Sequence, residues 1–82
     1  MDGDLMRLVE AVGKRIENLL EERGMTQYAL AKLGGIPRQT INIVVKGLHD
    51  RVALDTVYQI AATLGISLEE FFSDPMFNDI SD

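Results

Sequence analysis

Residues 26–47 read TQYALAKLGGIPRQTINIVVKG. Two short helical runs meet there at a glycine pair, and that junction restricts the fold more than any other feature. Thr26 is a favoured N-cap residue type, and a run over about 27–33 follows it. Gly34 and Gly35 interrupt the run. Pro37 opens another over about 37–45, since proline suits a first helical turn. Gly47 ends it. A joint this short rules out an antiparallel pair, so the helices cross steeply at close range. Ala31 stands where a larger side chain would hold them apart. Gly35 stands where the turn calls for positive φ, which glycine adopts without steric cost. Ile36 packs under the turn, and Leu30, Ile41 and Val44 face inward. This spacing reads as a helix-turn-helix.

The remaining chain is also helical in pattern. Leu5, Leu8, Val9, Val12, Ile16, Leu19 and Leu20 recur at three- and four-residue steps. With Asp4 as N-cap and Gly24 as the stop, they predict a first helix over about 5–23. After the loop GLHDRVA, the residues Leu54, Val57, Ile60, Ala61 and Leu64 predict a fourth helix, stopped at Gly65. Ser67 with Glu70 is a capping box for a short fifth helix bearing Leu68, Phe71 and Phe72. No strand alternation occurs. The expected fold is therefore all-α, with five helices and the helix-turn-helix as the second and third. One domain over residues 1–73 is followed by a short acidic and apolar tail over 74–82. Phe71, Phe72, Met76, Phe77 and Ile80 put five large apolar residues into the last twelve. They either fold back on helices one and five or meet the same surface of a second subunit.

Composition narrows the function. The chain has 82 residues and 46% hydrophobic residues, enough for one core without staples. It has no cysteine and one histidine, which excludes disulfides and leaves metal ligation poorly supplied. The glycine pair is not followed by a phosphate-loop lysine, and capping suffices to explain Glu69 and Glu70. Neither an enzyme nor a cofactor is expected. The first ten residues, MDGDLMRLVE, lack the pattern of a signal peptide. No apolar run approaches the roughly 18 residues of a membrane span. A cytoplasmic protein without a membrane partner is expected.

The net charge of -5 is unevenly spread. Residues 25–53 carry Lys32, Arg38, Lys46 and Arg51 against Asp50 alone. Residues 54–82 carry six acids and no Lys or Arg. The cationic third is the one that contains the helix-turn-helix. Because charges beyond about 8 Å are screened at physiological salt, this local balance matters more to a polyanion than the total.

Taken together, TQYALAKLGGIPRQTINIVVKG and LDTVYQIAATLGISLEEFF resemble the lambda-repressor-like, or Cro-type (XRE), helix-turn-helix regulators. The resemblance covers about residues 5–73. It implies a third helix that enters the major groove through its N-terminal turns. Pro37, Arg38, Gln39, Thr40, Asn42 and Ile43 occupy the matching positions. Arg38 and Gln39 are the base readers, arginine pairing with guanine and glutamine with adenine. Asn42, one turn on, meets a base or a phosphate, and Ile43 a thymine methyl. Gln27 matches a residue that clamps a phosphate. Tyr28 either packs on helix three or reaches a phosphate through its hydroxyl. Thr40 and Lys46, with His49 and Arg51, meet the DNA backbone.

Ile43 and Val45 depart from the pattern, since the family usually places polar residues there. With Ile41 and Val44 buried, both are expected to project from other faces. Val45 would pack against the loop at Leu48 or Val52, or the pair would form a protein-binding patch. The implied function is a sequence-specific DNA-binding transcriptional regulator, a repressor acting as a homodimer on a palindromic operator in double-stranded DNA. The alternative is an antitoxin-like or protein-interaction module that binds a protein partner through the apolar tail or the Ile43/Val45 face.

Overall fold

The three- and four-residue apolar steps that begin the chain form α1, Leu8–Glu22. The structure is a computed structural model that describes residues 6–81. Asp4 and Leu5 lie outside the described residues, but the predicted start is corrected: the helix begins at Leu8, about three residues later, with Arg7 and not Asp4 as its N-cap. The Glu10 carboxylate accepts from the Arg7 backbone N–H at 3.0 Å and closes the start of the helix. There follow α2, Gln27–Gly34, α3, Arg38–Lys46, α4, Leu54–Thr63, and α5, Leu68–Phe71, then a 3-10 turn, Pro75–Asn78. This is the predicted all-α fold, with α2 and α3 as the helix-turn-helix. Among the described residues the isolated extended pairing is a single bridge between Met6 and Ile80.

Local chemistry accounts for the joints. The Thr26 hydroxyl accepts from the Ala29 N–H at 3.0 Å and caps α2. The Ser67 hydroxyl does the same for the Glu70 N–H at 3.0 Å. Gly35 adopts φ 62°, as the turn requires. The Ile36 N–H then donates back to the Ala31 carbonyl at 3.1 Å, and Ile36 is buried beneath the turn. Pro37 sits one position earlier than predicted, as the N-cap of α3.

The core draws on every helix. Val12, Ile16, Leu19 and Leu20 of α1 meet Leu30 and Ala31 of α2, Ile41 and Val44 of α3, Val57 and Ile60 of α4, and Phe71 of α5. Leu8, counted in the apolar stripe, stays 44% exposed at the first position of its helix. Gly13 lies in the middle of α1, under the last turn of α3. A Cβ there would stand 2.4 Å from the Val45 carbonyl oxygen and 2.6 Å from that of Val44. Bare backbone thus lets α3 sit low on α1, and Val45 is buried to 9% exposure. The expectation that Val45 projects outward is corrected here. It belongs to the same buried cluster as Ile41 and Val44.

The C-terminal residues pack on their own chain. The rings of Phe71 and Phe72, and of Phe72 and Phe77, lie 4.9 Å apart in edge-on contacts. The Ser81 N–H donates to the Met6 carbonyl at 2.8 Å. Arg15 is the buried charged residue among those described, at 9% exposure. Its Nε donates to the Phe71 carbonyl at 2.7 Å and its Nη2 to the Glu70 carbonyl at 2.9 Å. Its other terminal nitrogen lies 3.6 Å from the Asp74 carboxylate. The Phe71 bond gives a partner to a carbonyl at the end of α5, and the Glu70 carbonyl, which also accepts from the Ser73 hydroxyl at 2.7 Å, gains a further one.

Candidate nucleic-acid interface

The left-handed turn at Gly35 brings the start of α3 to the surface. No side chain caps this end, and its first turn carries no acid. The free N–H groups and the positive end of the helix dipole therefore face outward, a setting that favours anions. Pro37, Arg38 and Gln39 are exposed at this leading edge. Thr40, Asn42 and Ile43 are half-buried along the next turn, and Lys46 is exposed at the far end. Ile43 lines a shallow hollow of about 240 Å³ with Thr40, His49, Arg51 and Val52. The structure thus gathers the α3 residues singled out in the sequence, together with His49 and Arg51, along one helix and the loop that leaves it.

The two α2 residues are placed differently. Gln27 is half-buried and lines a separate hollow, about 410 Å³, with Lys14 and Asn18 of α1. Tyr28 is brought against α3. The Arg38 guanidinium carbon lies 5.7 Å from the centre of its ring. The Lys32 ammonium lies 5.6 Å from the same centre. Sequence reasoning left Lys32 out of the candidate site. Its position four residues after Tyr28, on the same helix face, was the available signal.

The ion pairs divide the cations into two sets. The four in the N-terminal part all have carboxylate neighbours: Arg7 with Asp50, Lys14 with Glu17, Arg15 with Asp74, and Arg23 with Glu22. Among the described residues, Lys32, Arg38, Lys46 and Arg51 form no ion pair. Asp50, the one acid of the central segment, is held by Arg7 at 3.0 Å. Among the described residues, no carboxylate therefore pairs with the positive charge of the helix-turn-helix.

The alternative surfaces are diminished. Ile43 and Val45 form no common exposed face, because Val45 is in the core. Phe71 of the apolar tail is fully buried, and Phe72 and Phe77 pack against the core. Among the described residues no helix is long and apolar enough to cross a membrane.

Comparison with known proteins agrees with this geometry. Residues 16–71, well over half of the chain, match the family model HTH_3, helix-turn-helix. The chain is 33% identical over 67 residues to the HTH-type transcriptional regulator PuuR of Escherichia coli (strain K12), and equally to PuuR of Shigella flexneri. Each match covers 79% of this chain and 35% of the relative, so the chain spans about a third of the length of these curated relatives. Among solved structures, the prophage Lp1 protein 11 is similar with a TM-score of 0.79 and 28% identity, over 93% of this chain and 100% of that one. An HTH_3 family transcriptional regulator from Vibrio cholerae shares the fold, with a TM-score of 0.71 and 21% identity over 85% of this chain and 39% of that one.

Proposed function

The chain belongs to the HTH_3 helix-turn-helix family, and from that premise we propose that it is a sequence-specific DNA-binding transcriptional regulator, acting as a repressor. The observation that carries this reading is the leading edge of α3. It is exposed and uncapped, and it presents Arg38 and Gln39 beside cations that have no ion-pair partner among the described residues. Arg38 and Gln39 read base edges in the major groove, each good bidentate contact adding roughly 1–3 kcal/mol of discrimination. Pro37 and Asn42 flank them, Ile43 meets a thymine methyl, and Thr40 and Lys46 hold the phosphates. Gln27 approaches a phosphate at the start of α2, with Tyr28 beside it.

One subunit offers few cations, so a homodimer on a palindromic operator supplies the rest, with half-sites about 34 Å apart. An apolar hollow lined by Leu8, Val52, Leu54 and Phe72, about 120 Å³, is a surface that such a pair would cover. Selection of bound DNA from a random library tests the reading. The wild-type chain should enrich a two-fold symmetric site, and Arg38→Ala with Gln39→Ala should abolish the preference. Unchanged enrichment in that double variant removes the groove assignment. A chain that sediments as a monomer both free and on its site removes the homodimer.

A further inference from the structure

Three of the four arginines outside the loop after α3 use their N–H donors within the chain. Arg7 donates to Asp50, Arg15 to the Phe71 and Glu70 carbonyls, and Arg23 to the Leu64 carbonyl. Arg38 is the exception. Its neighbour is the face of the Tyr28 ring, at 5.7 Å, and among the described residues it donates no hydrogen bond. The difference is chemical. A carboxylate partner occupies the edge of the guanidinium, the same edge that pairs with guanine. An aromatic ring holds a cation through the electrostatics of its face and takes up none of its N–H donors in a conventional hydrogen bond, so that edge stays free. A long arginine side chain also loses rotamer freedom when it binds, and a contact made beforehand lowers that cost.

We propose that Tyr28 is a positioning residue for base recognition, its ring holding the Arg38 guanidinium at the start of α3 with its donor edge free. The inference rests on the groove reading of α3 and deepens it. Tyr28 is 54% exposed, so the contact is weak in the free protein and gains strength as DNA displaces water from the ring. Lys32 shares the ring at 5.6 Å and stands ready for a phosphate. The role belongs to the ring and not to the hydroxyl, which separates it from a direct phosphate contact by tyrosine.

The test uses Tyr28→Phe, Tyr28→Leu and Arg38→Ala in the 82-residue chain, with equal melting temperatures as the folding control. In the free protein, NMR should show the Arg38 side-chain protons shifted upfield by the ring. That shift should persist in Tyr28→Phe and vanish in Tyr28→Leu. In random-library selection, Arg38→Ala should flatten the preference at one base pair. Tyr28→Leu should weaken preference at that same base pair about two- to fivefold, and Tyr28→Phe should restore it. Arg38 resonances unchanged in Tyr28→Leu overturn the proposal. So does a Tyr28→Leu chain that binds all sequences equally more weakly, or a Tyr28→Phe chain that behaves like Tyr28→Leu. A wild-type chain that enriches no sequence overturns the groove reading and the positioning role together. The NMR comparison then separates that failure from loss of the contact alone.

Discussion

Gly13 shows how much a missing side chain can settle. Three backbone atoms of α3 lie within 3.0 Å of where its Cβ would stand. Alanine at a helix interior normally gains about 1 kcal/mol over glycine. Here the added methyl meets carbonyl backbone that has no rotamer through which to move aside, and overpacking of this kind costs about 1–3 kcal/mol. The clash is the larger effect because it involves two consecutive carbonyls of one turn. Gly13→Ala should therefore lower the urea midpoint with an unchanged slope, a net loss of up to about 2 kcal/mol. A raised midpoint would show that α1 and α3 part without cost. At the same scale, Val45 was legible as apolar but not as buried. Its depth is set by a residue 32 positions earlier, whose contribution is to have no side chain.

At the scale of elements, the helix-turn-helix is the most self-contained part of the chain. Thr26, Gly35 and Ile36 shape it through contacts within a few residues, and each is visible in the sequence. The C-terminal segment is the reverse. The 3-10 turn is capped by Asp74, whose carboxylate accepts from the Met76 N–H at 2.9 Å. It stays in place through Arg15, the three phenylalanine rings and the Met6 pairing. Arg15 stands three residues after Val12 and four before Leu19, on the edge of the apolar stripe. That spacing was the available sign that it turns inward. Truncation after Asp74 removes Phe77, Ile80 and the Ser81 bond, and should lower stability by about 2–4 kcal/mol. Thermal melting should show the loss at every protein concentration. A loss confined to association would assign the segment to an interface between subunits instead.

For the whole molecule, a radius of gyration of 12.2 Å matches the value of about 12 Å for a compact chain of this length. The described residues gather round one buried apolar cluster. Charge is the second property of the whole, and the ion pairs refine it. The net charge of -5 predicts repulsion from DNA. The four cations with no ion-pair partner among the described residues predict local attraction. Screening decides in favour of the local field, since the Debye length at 0.15 M salt is about 8 Å. If Lys32, Arg38, Lys46 and Arg51 all meet phosphates, log K should fall against log salt with a slope of about -3.6 per subunit. Two subunits on one site should give about -7. A slope near zero in a salt titration would mean that the phosphates are not touched.

The sequence by itself determined the number and order of the helices, their stops, and the presence of a helix-turn-helix. Those signals are local: a cap acts over three residues, a glycine over one turn, an apolar period along one face. Only the tertiary structure decided which apolar residues are deep and which cations remain unpaired. Periodicity names the face of a helix but not how closely another helix approaches it. A formal charge is the same in the sequence whether or not a carboxylate from 43 or 59 residues away has come to meet it, as Asp50 meets Arg7 and Asp74 meets Arg15.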